Sequence, residues 1–297
     1  MIYDIKLKIT YEYDVPATGA RHAVRILPVT IDGRQRLIAG ALSFDPVPEE
    51  RVDIVDFFGN HVSLVQMRAA HDKSLIQMQT RVQVEAPLSL PGLSRPLSRI
   101  AEEVATFKSM AGDAPHHFLG ASPRLPIVPD VVEFAREFAG RDMPVEEIAR
   151  AMCAGIHRDF KYDGKVTKVD TPLKEAFKLK AGVCQDFSHI MIAGLRSLGI
   201  PAGYVSGFLR TIPPPGKPRL EGADAMHAWV RVWGGRDAGW LEYDPTNDMR
   251  AGLDHIVVGY GRDYSDVAPV VGVLRSYGEH ATQQSVDVVP VNLGQDA

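Results

Sequence analysis

Three residues whose side chains can carry out nucleophilic catalysis follow one another in the second half of the chain: Cys184, His227 and Asp244. A cysteine thiolate is a strong nucleophile, an imidazole can take up and return its proton, and a carboxylate can orient the imidazole and stabilise its charged form. Each residue alone also has an ordinary structural interpretation, namely a buried thiol, a hydrogen-bonded histidine and an Asp-Pro turn. The chemistry therefore depends on elements that bring the three together.

A helix is predicted to begin at Cys184, because Phe187, Met191 and Leu195 follow it at helical spacing and Gly199 ends the pattern. At a helix N-terminus the backbone dipole and the unpaired N–H groups favour a thiolate. The same N–H groups can supply half of an oxyanion hole. The position therefore suits a nucleophilic cysteine.

Two strands are predicted to carry the base and the carboxylate. His227 lies within the alternating segment 225–233, and Asp244 follows the segment 239–243, which Pro245 ends. Adjacent antiparallel strands can place a histidine and an aspartate side by side within hydrogen-bond reach. The sequence therefore predicts a Cys-His-Asp arrangement in which a helix start faces two neighbouring strands.

The first third of the chain has the pattern of an antiparallel sheet. Apolar and polar residues alternate over 5–13 and again over 76–84, the period of a half-buried strand. Gly59 and Asn60 separate two further strand-like runs, as a hairpin turn does. We expect a small β domain here.

The second domain begins with helical patterns and continues with strands. Asp130 with Glu133 has the pattern of a capping box, and Thr171 with Pro172 that of an N-cap before a first-turn proline. Further predicted helices run from 144 to about 157 and from 184, and further strands cover 203–210, 255–259 and 284–289. Helices followed by an antiparallel sheet predict an α+β fold.

The segment 86–128 is rich in Pro, Ser and Gly and is predicted to connect the two domains. We place the boundary near residue 120. Residues 1–120 then form the N-terminal antiparallel β domain with its connecting segment, and residues 121–297 the second domain.

Composition excludes several classes of partner. The 297 residues carry a net charge of −4, which gives no basic face for nucleic acid. No apolar run approaches the roughly 18 residues that indicate a membrane helix, and the first residues do not resemble a signal peptide. With only two cysteines, we expect free thiols and a cytoplasmic protein. The oligomeric state stays open.

The segments around the three residues resemble the motifs of the bacterial transglutaminase-like cysteine protease family, within the transglutaminase-like superfamily. The resemblance extends to an accessory N-terminal β domain. The similar segments are 181–189 and 195–207 for the cysteine motif, 226–230 for the histidine motif, 243–247 for the aspartate motif, and 56–60 and 261–269 outside them.

This resemblance implies a papain-related core in which helices pack on an antiparallel sheet, with Cys184, His227 and Asp244 as the catalytic triad. It implies acyl transfer on a peptide or protein amide through a thioester, without cofactor or metal. We expect a hydrolase, a protease or amidase. The alternatives are a transglutaminase that joins glutamine to amines, and a non-catalytic interaction module that keeps the fold.

Two aromatic residues are predicted to line the substrate cleft. Tyr162 lies upstream of the cysteine, and Trp229 lies two positions after His227 on the same strand face. Both also fit the interpretation of core aromatics. We assign no oxyanion-hole role to Gln185, because the glutamine with that role in papain-like enzymes precedes the cysteine. His189, five residues after Cys184, is expected to point away from it and to be structural.

Overall fold

The computed structural model describes residues 1–86, 92–212, 222 and 224–291. The strands are β1 (Ile2–Val24), β2 (Gln35–Asp45), β3 (Glu50–Val55), β4 (His61–Met67), β5 (His71–Val84), β6 (Lys161–Tyr162), β7 (Ala181–Gly182), β8 (Ala202–Leu209), β9 (Ala225–Trp233), β10 (Trp240–Asp244), β11 (Met249–Arg250), β12 (His255–Gly261), β13 (Val270–Arg275) and β14 (His280–Pro290). The helices are α1 (Leu97–Ala105), α2 (Pro129–Arg136), α3 (Val145–Asp159), α4 (Leu173–Leu179), α5 (Cys184–Ser197) and α6 (Tyr264–Val267), with a 3-10 turn at Pro115–Phe118.

The N-terminal sheet is organised around the long strand β1. Its first half pairs with β5 and β14, and its second half pairs with β4 and β13, all antiparallel. Alternate residues of β1, among them Ile5 and Leu7, are buried while Lys6 and Lys8 are exposed. The predicted alternation and the hairpin at Gly59 are therefore confirmed, whereas β2 was not predicted.

The predicted domain boundaries need a correction at the C-terminal end. Strands β13 and β14, which we assigned to the second domain, pair with β1 in the N-terminal sheet. Val286 and Val288 of β14 are buried in the same core as Ile5 and Leu7. The alternation of β14 predicted a strand, but pairing with a strand at the other end of the chain leaves no local signal.

The second sheet lies between the helices and the N-terminal sheet. Its antiparallel order is β11-β10-β9-β8-β12. Helix α5 packs against β8 and β9, where Val230 and Val232 share a core with Leu195. On the other side, Phe208 of β8 and Ile256 of β12 join the core of the N-terminal sheet. The predicted α+β class, with helices packed on an antiparallel sheet, is confirmed.

Two predicted helix caps are wrong, although the helices exist. Helix α2 begins at Pro129, so its N-cap is Val128, which has no side-chain acceptor, and Asp130 lies inside the first turn. Helix α4 begins at Leu173, and the Thr171 hydroxyl accepts from the backbone N–H of Lys168 instead of capping the helix. In α2 the first helical position is taken by Pro129, as proline favours, so the N-cap falls before it; in α4 the N-cap is Pro172 itself.

In the part of the chain that the structure describes, no helix combines the length and the apolar composition needed to cross a membrane.

Candidate active site

Cys184 is the first residue of α5 and is partly exposed. The Asp186 carboxylate, in the first turn, accepts hydrogen bonds from the backbone N–H of Val183 at 2.9 Å and from the Thr167 hydroxyl at 2.7 Å. Burial raises the pKa of Asp186, and these hydrogen bonds oppose that effect. This cap fixes the direction in which the chain enters the helix, and therefore the position of the cysteine.

The chain before the cysteine is held by a short parallel pair of strands. Tyr162 of β6 pairs with Gly182 of β7, and the N–H of Asp163 donates to the Gly182 carbonyl at 2.8 Å. A β-carbon at position 182 would lie 2.4 Å from an Asp186 carboxylate oxygen, so only glycine allows this close approach. The cysteine is thus fixed by contacts on both sides of it.

His227 of β9 and Asp244 at the end of β10 form a direct pair. The Nε2 atom of His227 lies 2.7 Å from Oδ2 of Asp244. This leaves Nδ1 as the ring nitrogen that can face Cys184, which lies close enough to the imidazole to act on it electrostatically. Burial lowers the pKa of His227, but the hydrogen bond to Asp244 and the interaction with Cys184 outweigh it and raise the pKa to about 10. The site therefore favours the protonated imidazolium form of His227 beside the Asp244 carboxylate.

The Asp244 side chain is fully buried and accepts hydrogen bonds on both oxygens. Oδ1 accepts from the backbone N–H of Thr246 at 2.9 Å, and Oδ2 accepts from the Asn247 amide at 2.6 Å in addition to His227. Burial raises the pKa of Asp244, yet the hydrogen bonds, first that of His227, hold it well below its usual range. The carboxylate is therefore ionised and fixed in orientation.

A second histidine, His255, completes the surroundings of Asp244, and sequence reasoning missed it. Its Nδ1 accepts from the backbone N–H of Gly252 at 3.3 Å, so Nε2 carries the proton and donates to Asp244 Oδ2 at 3.2 Å. The ring is almost fully buried against Trp229. The sequence predicted a strand from this residue but could not show that β12 returns to Asp244.

The atoms of His227, Asp244 and His255 lie within 4.8 Å of one another and are of types that bind metals. In this arrangement, however, both Nε2 atoms already hydrogen-bond the same carboxylate oxygen. We therefore interpret the cluster as a hydrogen-bonded network, and the expectation that the enzyme needs no metal stays a prediction.

The two predicted cleft residues occupy different environments. Tyr162 is 59% exposed, and burial, followed by the charge of Cys184, raises the pKa of its hydroxyl. It is therefore near the thiol and open to solvent, and its role in substrate binding stays a prediction. Trp229 is 0% exposed, and its indole N–H donates to Glu242 at 2.5 Å. We correct its assignment: the ring stacks beside His227 and supports it from the core.

Gln185 and His189 are held by structural contacts. The Gln185 amide donates to the Val169 carbonyl at 2.9 Å, and Nε2 of His189 accepts from the backbone N–H of Tyr264 at 3.3 Å. Burial lowers the pKa of His189 to about 4, so the ring is neutral. Neither side chain is directed by these contacts towards the thiol.

The structure thus brings Cys184, His227 and Asp244 together, with His227 between the other two. The first intrahelical bond at this end of α5 runs from the N–H of Phe187 to the Val183 carbonyl at 3.1 Å, so the N–H groups of residues 184 and 185 precede it. Such groups can bind the oxyanion that forms when a thiolate attacks a carbonyl. A role in catalysis stays a prediction for all three side chains.

Comparison with known proteins finds two family profiles and several relatives that match this chain. Residues 132–245, which contain all three side chains, match the profile of the transglutaminase-like superfamily, and residues 3–83 match that of the bacterial transglutaminase-like N-terminal region. The Mycobacterium tuberculosis protein Rv2569c, described as uncharacterised, is 38% identical over 267 residues, which are 86% of this chain and 83% of that protein. The Mycobacterium leprae protein ML0607, also described as uncharacterised, is 30% identical over 272 residues, 90% of this chain and 91% of that protein.

Among solved structures, a Cytophaga hutchinsonii protein provisionally described as a cysteine protease has a TM-score of 0.74 and 19% identity to this chain. The match covers 100% of this chain and 92% of the other. At this identity the likeness concerns the fold, and it includes both the N-terminal sheet and the helix-covered sheet.

Proposed function

The chain belongs to the bacterial branch of the transglutaminase-like superfamily, and from this premise we propose that it is a cysteine-dependent acyl-transfer enzyme that hydrolyses peptide or protein amides. The observation that carries the proposal is the position of His227, which bonds Asp244 at 2.7 Å and lies close enough to Cys184 for the cysteine to raise its pKa. Nucleophile, base and orienting group are then neighbours in the order that covalent catalysis by a cysteine requires.

The reaction follows from these contacts. The Cys184 thiolate attacks the amide carbon, and the oxyanion binds N–H groups at the start of α5. The amine leaves with the proton of the His227 imidazolium, and a thioester remains. Neutral His227 then takes a proton from water as the oxygen attacks the thioester, which releases the carboxylic acid and restores the thiol. Asp244 keeps the imidazole oriented and stabilises its positive charge in each step.

The identity of the second acceptor separates hydrolysis from transamidation. Cys184 is partly exposed and the neighbouring Tyr162 is 59% exposed, so water can reach a thioester formed here. This access supports hydrolysis as the main reaction. A transglutaminase is the second candidate, since the same thioester passes to an amine when the amine reaches it first.

The test is a competition between the two acceptors. The protein is incubated with a library of glutamine-containing peptides, with and without an excess of putrescine, and the products are identified by mass spectrometry. We expect cleaved or deamidated peptides in both samples, at rates that putrescine leaves unchanged. Putrescine adducts formed faster than the hydrolysis products would replace the hydrolase by a transglutaminase. The Cys184→Ala protein serves as the control and should give neither product.

A further inference from the structure

Away from the triad, one arginine has a buried charge with no hydrogen-bond acceptor. Arg231 of β9 is only 3% exposed, and its Nε and Nη2 atoms have no hydrogen-bond partner among the residues that the structure describes. Burial lowers the pKa of this guanidinium to about 10, so it is still charged at neutral pH. Buried N–H groups without an acceptor are costly, and this deficit points to a ligand that supplies the missing acceptor.

Aromatic rings hold this guanidinium in place. Its central carbon lies 4.4 Å from the ring centre of Phe118, 4.5 Å from that of Trp240 and 4.4 Å from that of Tyr260. A β-carbon at Gly203, on the neighbouring strand, would lie 3.1 Å from Arg231 Nε. The rings and the glycine fix the plane of the guanidinium and leave its N–H groups as directed donors.

Glu242 and Asp113 act electrostatically on Arg231, but neither accepts a hydrogen bond from its Nε or Nη2. Glu242 lies opposite it on β10, but both of its oxygens are engaged by other donors. Arg34 binds both oxygens of Glu242, Trp229 donates to Oε2 at 2.5 Å, and Tyr260 donates to Oε1 at 3.0 Å. The hydrogen bonds of Glu242 therefore go to Arg34, Trp229 and Tyr260, and the Nε and Nη2 atoms of Arg231 are left without an acceptor.

Arg231 lines a cavity of about 500 Å³ between the second sheet and the N-terminal sheet. That volume is in the range of small-molecule sites. Aromatic rings of Phe57, Phe58 and Trp240 form part of its wall, and two exposed acidic residues, Asp32 and Asp113, line it as well. The cavity thus combines a buried cation, an apolar wall and acidic groups near solvent.

We propose that this cavity binds a small zwitterion of the amino-acid class, as a free molecule, at a site separate from the triad. The carboxylate pairs with the planar guanidinium of Arg231, the apolar part packs on the aromatic wall, and the ammonium group faces Asp32 and Asp113. Two parallel N–H···O bonds to a carboxylate are the arrangement that an arginine with free donors favours.

Calorimetric titration of the full chain tests the proposal, with L-phenylalanine as the probe and Cys184→Ala as the protein, so that turnover cannot interfere. L-Phenylalaninamide lacks the carboxylate, and 3-phenylpropionate lacks the ammonium group. We expect the dissociation constant of L-phenylalanine to be lower than that of the amide by a factor of about 30 or more, because the amide leaves the guanidinium unpaired. We also expect 3-phenylpropionate to bind more weakly than the amino acid.

The variant Arg231→Met should weaken L-phenylalanine binding by a factor of about 30 or more. Without ligand it should unfold at the same temperature as the parent protein or at a higher one, since the substitution removes a buried charge whose N–H groups lack acceptors. Arg236→Met is the matched control, because Arg236 also lies over an aromatic ring, that of Phe107, but outside the cavity. Equal binding of acid and amide, no binding of L-phenylalanine, or binding unchanged by Arg231→Met would overturn the proposal. The comparison of acid with amide decides it even if Arg231→Met fails to fold.

Discussion

Replacement of Cys184 by alanine is expected to abolish turnover while the fold persists. The substitution removes only the thiol group, and the cap that Asp186 forms with the backbone N–H of Val183 does not depend on that group. Loss of the nucleophile from a triad lowers kcat by about 10⁶-fold, whereas a partly exposed side chain contributes about 1 kcal/mol or less to the free energy of unfolding. Peptide hydrolysis and thermal unfolding measured on the same preparation check both parts.

The second cysteine provides a matched control. Cys153 is 1% exposed, and burial raises the pKa of its thiol to about 12, so it is an inert thiol. Cys153→Ala should keep most of the activity and lose some stability, because its Sγ donates to the Asp244 carbonyl at 3.4 Å. An active Cys184→Ala protein beside an inactive Cys153→Ala protein would transfer the nucleophile to Cys153 and contradict the assignment.

The second large effect is expected for Asp244→Asn, with a loss of about 10⁴-fold in kcat at neutral pH. The carboxylate oxygen that accepts from His227 also accepts from His255 and Asn247. An asparagine amide nitrogen at that position cannot accept, so the His227 ring would take the other tautomer, with its proton on the nitrogen that faces the thiol. Steady-state kinetics with the substrate identified by peptide profiling measure the loss.

Asp248→Asn is the control for the removal of a negative charge from the same turn. Asp248 is exposed and has a φ of 48°, a conformation that asparagine tolerates. This variant should retain kcat within about a factor of three, as expected for an exposed side chain outside the network. Equal losses of kcat in Asp244→Asn and Asp248→Asn would mean that the negative charge of the turn matters, and not the hydrogen bond from His227 to Asp244.

The sequence was informative wherever a feature is local. The helical spacing after Cys184 predicted the start of α5, and the alternation around His227 separated the strand face of Ala228, Val230 and Val232 from that of Trp229. The structure has both features, because an amphipathic pattern must bury its apolar side. The same motifs carried the resemblance that the family profiles confirm.

Features that depend on contacts between segments far apart in the sequence leave no local pattern from which they could be predicted. The pairing of β12 with β8 brings His255 to Asp244. The Trp229 ring passes over Gly207 and contacts the His255 ring. The pairing of β14 with β1 and the environment of Arg231 likewise join segments far apart in sequence. Trp229 was placed on the correct strand face, but its burial depends on Val29, which follows β1, and on Val205 and Val257 of the neighbouring strands, which a single strand pattern does not report.

Cys184 and His227 are expected to form an activated pair, and the pH dependence of Cys184 alkylation measures whether they do. In a Cys153→Ala background, the rate of reaction with iodoacetamide is measured from pH 4 to 10, with His227 present and with His227→Ala. The raised pKa of His227 keeps the imidazolium protonated through neutral pH, so we predict rapid alkylation well below about pH 8.5, where a free thiol titrates. We predict that His227→Ala abolishes it. Alkylation that follows an ordinary thiol titration and is unchanged in His227→Ala would contradict the account and favour a non-catalytic module that keeps the fold.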